Sequence, residues 1–386
     1  MKKYDYIVAG AGLSGSVYAR EMAERWKQVL VMERRNHIAG NLYDERDEDG
    51  FLVQRYGPHI FHTSNEQVHE YVQRFAEWKD YTLRCGAVLD NISTPTPFNF
   101  KTIDQFYSLK EATLLKQALL DAYPGRKTVT VVELLESENP NIKAYAQMLF
   151  DKDYSLYTAK QWGIRPQDID VSVLKRVPVR LDYEERYFTD PHEYLPVKTY
   201  TGFVGNILNH PNIDVHTNKD VLKYINVDIE ERRIVFADDL DVTKDCKLIY
   251  TGAIDELFGY RFGQLPYRSL RFKYEHPQTD SFQEAPVVAY PAASDFTRIT
   301  EYTKLPYQET KGKTIVAYEY PLQFKEGENE EPYYPIPTEE SAKQYSQYRQ
   351  IADTFDNLIL CGRLADYKYY NMDQAILSVV TKISEK

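Results

Sequence analysis

Cysteine is nearly absent from this sequence: Cys85, Cys246 and Cys361 are the only three, far apart and odd in number. Such a set builds neither a disulfide framework nor a zinc motif, and it fits a reducing compartment. Long apolar runs are missing too. None approaches the roughly 18 residues that a membrane span needs, and no basic-then-apolar leader precedes the first strand-like run. The expectation is a cytoplasmic protein with no membrane partner. Positive charge is not in excess: 47 lysines and arginines face 58 acidic residues, for a net charge of -11. Nucleic acid is therefore not expected as a partner, and an anionic ligand must be met by a local arginine cluster rather than by a global field. A GxSxG elbow, an HExxH helix and a CxxC pair are all lacking, so no familiar side-chain nucleophile or zinc chemistry is in view.

Tyrosine is plentiful, with 33 residues, many beside Arg and Asp in the second half of the chain. It offers a rigid stacking face with a hydroxyl at its tip. The length of 386 residues is enough for two or three domains.

The first 35 residues read as strand, glycine turn, helix, strand: an apolar run from Tyr6 to Ala9, a helix with a buried stripe at Leu13, Val17, Met22 and Trp26, and a second run from Val29 to Met32. Between about residues 102 and 160 the period changes to helical, with stops at Pro124-Gly125 and Asn139-Pro140. From about 173 to 335 short apolar runs alternate with turn signals, as in "APVVAYP" and "KTIVAYEYP", and read as antiparallel strands. "DCKLIYTG" and "DNLILCGR" differ, being buried runs that end on glycine like the first strand. They are expected to rejoin the N-terminal sheet. The fold class is thus α/β: a discontinuous Rossmann-like dinucleotide domain (residues 1–83, about 200–260 and about 345–386), a helical insert (about 102–172), and an antiparallel sheet domain (about 84–101, 173–199 and 261–344).

Gly10, Gly12 and Gly15 form a GxGxxG turn between strand and helix, with Leu13 and Ser14 opening the helix whose N-terminus would receive a pyrophosphate. Glu33 stands 18 residues beyond Gly15, at the end of the second strand. A carboxylate there accepts from ribose hydroxyls and repels a 2'-phosphate, which disfavours NADP. FAD is preferred over NAD because the fingerprint lies at the N-terminus and "ERRNHIAGN", with Arg34, Gly40 and Asn41, follows at once. The spacing of His59 and His62 suits a metal pair, but no further ligands lie nearby in sequence, so no metal is expected.

Seven strings follow the fingerprint in order: "YGPHIFHT", "YTAKQWG", "KRVPVR", "RYFTD", "FTRITEY", "EPYYPIP" and "GRLADYKYYNMDQ". Together they resemble the bacterial UDP-galactopyranose mutases over essentially the whole chain. The resemblance implies a flavoenzyme that interconverts the pyranose and furanose forms of UDP-galactose, in which N5 of the reduced flavin displaces UDP from the sugar's anomeric carbon and holds the sugar while the ring reopens. It implies a sugar-nucleotide substrate, FAD that must first be reduced by an NAD(P)H-linked or other reductant, and a homodimer. Arg180 and Arg298 would clamp the diphosphate, each with a planar donor fork. Tyr187, Tyr334 and Tyr369 would hydrogen-bond it. Tyr157, Thr158 and Trp162 would bind the substrate, with Trp162 on a closing loop and Gly163 as its hinge. His62 would sit near the isoalloxazine, with the His59-Ile60 backbone against it. Gly362 and Arg363 would meet the FAD pyrophosphate, and the segment Tyr370, Asn371, Met372, Asp373, Gln374 and Ala375 would lie along the flavin.

The chain departs from the family pattern at several points. Ser155-Leu156 replaces the Lys-Gly before Tyr157-Thr158, Ala289 stands where an asparagine is common, Leu83 where a polar residue is frequent, and Asn371 where aspartate is. A lost amide leaves a sugar hydroxyl unpaired at a cost of about 1–3 kcal/mol. A 6-deoxyhexose on UDP or dTDP is therefore the alternative substrate. A flavin oxidase sharing only the fold is the competing class.

Overall fold

The computed structural model describes residues 3–162, 177–325 and 331–384. Its first layer is a parallel sheet of five strands in the order Ile213–His216, Val29–Met32, Tyr4–Ala9, Val242–Tyr250 and Leu358–Leu360. Side chains alternate between the faces of a strand, and here both sets are apolar. Val8, Val29, Val31, Ile249 and Ile359 enter one core, shared with the helices Leu13–Ala23, Tyr200–Leu208 and Met372–Ser384. Ile7, Leu30, Met32, Leu248, Tyr250 and Leu360 enter the other, shared with the helix Glu339–Ala352. Strands buried on both faces are unbroken apolar runs, which is why these runs stand out in the sequence. The first helix ends at Ala23, before its apolar stripe does. Trp26 follows in the turn at φ 63° with 87% of its surface exposed, so it is not part of the core.

The second layer is a seven-stranded sheet whose central strands are Tyr267–Glu275, Val316–Gln323, Arg298–Glu301 and Val287–Ala289. Its pairings are antiparallel except one, where Val287–Ala289 runs parallel to Cys85–Leu89.

Residues 173–199, expected in this sheet, go elsewhere where they are described. Val179–Arg180 pairs with Thr128–Val129, beside the helices. His192–Pro196 lies between Phe61–Thr63 and Trp78–Asp80 in a separate three-stranded sheet. Packing decides this placement: Tyr194 stacks on Phe61 with centroids 5.9 Å apart, and both belong to the core of the Rossmann-like layer.

The helical part has its own core of Leu115, Leu119, Leu134, Ile142, Tyr145 and Leu149. The run around residues 102–122 is two helices, Phe100–Phe106 and Leu109–Ala122. Ser108 starts the second: its hydroxyl accepts from the Glu111 N–H while the Glu111 carboxylate accepts from the Ser108 N–H, a reciprocal cap contributing about 1 kcal/mol. Asn139 caps the helix Pro140–Leu149, with proline at its first position, where no N–H is needed.

A π-helical turn, Phe150–Tyr154, then leads into the helix Ser155–Trp162. Burial pushes the Asp153 carboxyl in that turn up to about 7 from 3.8. Between these two values the folded chain keeps a proton that the unfolded chain releases, so stability falls as pH rises through that window. Asp153→Asn is neutral at every pH. Its melting temperature should exceed the parent's by about 2–4 °C above pH 7 and match it near pH 4, in melts followed by circular dichroism.

Candidate functional site

The carboxyl ends of the central strands open into one cavity of about 1250 Å³, counting the solvent at its mouth. This is where open α/β sheets bind ligands. Gly10, Gly12, Leu13, Ser14 and Gly15 line it from the first turn, and Glu33, Arg34, Gly40 and Asn41 from beyond the second strand. Gly362, Arg363, Tyr370, Asn371, Met372 and Ala375 line it from the last junction. Two glycines show how tight the turns are. A Cβ on Gly15 would lie 2.1 Å from the Gly10 carbonyl oxygen, so only glycine lets this helix start against the strand. Gly362 has φ +93°, and a Cβ there would come within 3.2 Å of Ser14, which brings the last junction onto the first turn. The junction is pinned from behind by Lys382, whose ammonium donates to both Asp366 carboxylate oxygens (2.6 and 2.7 Å) and to the Leu360 carbonyl (3.1 Å).

Glu33 is buried and braces the cavity wall. Its carboxylate accepts from the Ala11 N–H (2.8 Å) and the Arg35 N–H (2.8 Å), leaving lone pairs for a ribose. Arg34 lines the wall, but its guanidinium donates twice to Glu256 (3.0 and 2.8 Å) and is committed there. Asn41 accepts from Arg35 (3.1 and 3.2 Å). A glycine-only helix start, a carboxylate at the second strand and the open cavity between them fit a dinucleotide.

Three expected cofactor residues do not line this cavity. Ile60 is packed in the core of the Rossmann-like layer. Asp373 accepts from the Thr63 hydroxyl (3.2 Å) and the Gln374 N–H (2.7 Å), and Gln374 accepts from the Asn371 N–H (3.0 Å). These two side chains therefore cap their own helix start, so its first N–H groups are not all open to a ligand. Of the two histidines, only the first is where it is expected. His59 lines the cavity, whereas His62 does not; it bonds Asp190 (2.6 Å) and stacks on Phe188 at 3.7 Å. His59 Nδ1 faces the Gly57 carbonyl (2.8 Å), and burial, with Arg363 and Arg298 nearby, pulls its pKa down to about 4. The ring is neutral at physiological pH, with the proton on Nδ1 and an acceptor at Nε2.

An arginine–tyrosine cluster adjoins His59. The Tyr334 and Tyr369 rings stack 5.3 Å apart, and the Arg363 guanidinium lies over both, 4.7 and 5.2 Å from their centroids. Arg268, from the strand Tyr267–Glu275, sits 4.9 Å from the Tyr334 ring and is buried. Arg298 donates to Glu319 (2.8 Å), a carboxylate only 2% exposed. Tyr157 lies within the fields of Arg298, Glu319 and Tyr187, and burial, opposed by Arg298, pushes its hydroxyl pKa up, so it remains a donor. Arg180 donates to the Tyr187 carbonyl (3.4 Å), is 6% exposed, and has no hydrogen-bond partner at Nε among the described residues. No ion pair neutralises it among those residues, in contrast to Arg298.

Thr158 is buried on the same helix as Tyr157. Trp162 falls within this helix rather than in a loop, and its side chain, like Gly163, lies outside the described residues. Leu83 is buried, donating to Glu193 (2.6 Å) and accepting from the Tyr187 N–H (2.7 Å) through its backbone. Ala289 pairs with Arg298 across the sheet. Sequence reasoning missed Arg268 and Glu319, which look like ordinary alternating polar positions in strands. It also missed Thr251 and Gly252, although the glycine ending "LIYTG" points to that wall.

Two family models match the chain: UDP-galactopyranose mutase over residues 152–369 and an NAD(P)-binding Rossmann-like domain over residues 8–75. A UDP-galactopyranose mutase of Mycoplasma pneumoniae is 36% identical, with 99% of this chain and 96% of the relative covered. A dTDP-fucopyranose mutase of Escherichia coli is 34% identical over 97% of this chain and 96% of its own. Among solved structures, a reduced UDP-galactopyranose mutase superposes with a TM-score of 0.72 at 16% identity, covering 100% of this chain and 94% of that one. With its Rossmann-like cavity opening onto an arginine–tyrosine cluster, the chain belongs to the UDP-galactopyranose mutase family.

Proposed function

We propose that this protein interconverts UDP-galactopyranose and UDP-galactofuranose. The family is flavin-dependent, and FAD is the cofactor. One observation supports this reading above others: Arg180 is buried, has no carboxylate partner among the described residues, and donates to Tyr187, which shares a field with Tyr157 and Arg298. A cation buried in this way favours an anion, and a diphosphate matches its fork. Reduced FAD, when bound, supplies a nucleophilic nitrogen for the anomeric carbon. The chain's own residues do the rest. Arg180 and Arg298 hold the diphosphate as it gains charge on leaving, while Tyr187, Tyr334, Tyr369 and the protonated Tyr157 donate to its oxygens. Thr158 lines the nucleotide side, and Leu83 and Ala289 lie close to the sugar or nucleotide; the substrate role of Trp162 rests on the family resemblance alone. Neutral His59 offers its Nε2 as an acceptor toward the cofactor without adding charge. The division into a discontinuous nucleotide domain, helical insert and sheet domain belongs to the same reading, as do a cytoplasmic location, an external reductant and assembly as a homodimer.

A second substrate is favoured by two residues. Leu83 and Ala289 offer no side-chain hydrogen bond, and a relative of similar identity is named for dTDP-fucopyranose. Comparing kcat/KM of the reduced protein for UDP-galactose and dTDP-fucose separates the two. UDP-galactose is expected to be preferred; a tenfold or greater preference for dTDP-fucose would replace it as the substrate. Oxygen consumption matched to substrate consumed would instead mark an oxidase.

A further inference from the structure

The helix Ser155–Trp162 and the hairpin carrying Arg298 meet at a single ammonium group. Lys160, in the last turn of that helix, donates to three backbone carbonyls: Tyr290 (2.9 Å), Ala293 (2.6 Å) and Phe296 (2.8 Å). All three belong to the turn joining Val287–Ala289 to Arg298–Glu301. An ammonium has three N–H donors, and here each finds a carbonyl. Burial lowers the Lys160 pKa, with Asp295 opposing, so the group is drawn out of water to make these contacts. Loop carbonyls commonly face solvent, and here three turn toward one donor group instead.

We propose that Lys160 is a positioning residue that locks the helix bearing Tyr157 and Thr158 onto the Arg298 hairpin, so that substrate meets both sides of its site already assembled. The turn has Ala289 at one end and Arg298 at the other, which are direct partners across the sheet. Holding it from the helix fixes Tyr157 against Arg298, two groups already within each other's field. Without the lock, the helix and hairpin would be docked in only a fraction of molecules, and apparent affinity falls by that fraction. Saturating substrate would restore docking, so the loss should appear in KM rather than kcat.

This inference rests on the proposed mutase reading, and its test separates the two. Lys160→Met removes the donors while keeping the side chain's bulk, and Lys160→Arg keeps donors. In Lys160→Met, KM for UDP-galactose should rise about ten- to a hundredfold, the range expected for a charged hydrogen-bonded group, with kcat within about threefold of the parent. Flavin content should be unchanged, and Lys160→Arg should recover at least part of the KM. An unchanged KM in Lys160→Met overturns the proposal. Hydrogen exchange needs no turnover: amides of Ser155–Trp162 should exchange at least tenfold faster in Lys160→Met, and equal rates also overturn it. If the parent itself turns over no sugar nucleotide, the mutase reading fails while exchange still decides on the lock. Should Lys160→Met not fold, Lys160→Gln, which retains two N–H donors, is expected to lie between it and the parent, and parental KM and exchange in that variant overturn the proposal.

Discussion

Arg180→Met should lose about 100-fold or more in kcat while melting no lower than the parent, the size of effect seen when one donor to a developing anion is removed. The two halves of this expectation come from one feature. Arg180 is 6% exposed and faces no carboxylate among the described residues, so its burial costs stability that no ion pair among them returns. Methionine of similar reach relieves that cost and removes the charge. Arg298→Met should behave differently, because it leaves Glu319, 2% exposed, without its partner. Breaking a buried pair from one side costs about 3–5 kcal/mol, so this variant should lose both turnover and stability. Steady-state rates paired with melting curves check both. Equal stability losses in the two variants would mean that Arg180 is a structural cation and not a ligand for the diphosphate.

Gly15→Ala should abolish flavin binding. The added Cβ would sit 2.1 Å from the Gly10 carbonyl and 3.2 Å from Val8 Cγ1, both part of the buried strand and its turn. Backbone cannot yield there without moving the helix N-terminus that faces the cavity. The purified variant should be colourless, with no absorbance near the flavin band and no gain on adding FAD. Gly12→Ala is the internal control. Its Cβ would meet nothing nearer than Gly40 Cα at 3.8 Å, so the chain should fold with parental circular dichroism while a methyl group intrudes on the cavity wall. It should bind flavin more weakly than the parent and more tightly than Gly15→Ala. A yellow Gly15→Ala protein would mean that the dinucleotide does not use this turn.

The nucleotide layer was legible in the sequence for a physical reason. Strands buried on both faces must be apolar throughout, and a turn this tight tolerates only glycine, so "YIVAGAGLSG" and "LILCG" carry their structure in composition. The edges of that reading failed where tertiary packing decides. "HEYLP" is an ordinary strand on its own, and tertiary packing, with Tyr194 set against Phe61 and Trp78, places it in the small sheet. The site was less legible. Arg180 and Arg298 look alike as letters, yet the first meets no carboxylate among the described residues and the second is held by Glu319, a partner 21 residues away. His59 and His62 are both plausible cavity residues until Asp190 takes the second. Asp373 and Gln374 read as flavin contacts, but short polar side chains at a helix start bond their own backbone first. The resemblance located these residues along the chain without giving their partners.

The central claim is that the protein rearranges a sugar nucleotide on a reduced flavin without net oxidation. It is tested most directly by incubating the purified protein with UDP-galactofuranose, once as isolated and once reduced with dithionite under anaerobic conditions, and following the isomers by chromatography. Conversion to UDP-galactopyranose is predicted in the reduced sample alone, over many turnovers and with the flavin still reduced at the end. No conversion in the reduced sample, or conversion accompanied by one flavin oxidation for each sugar consumed, would contradict it.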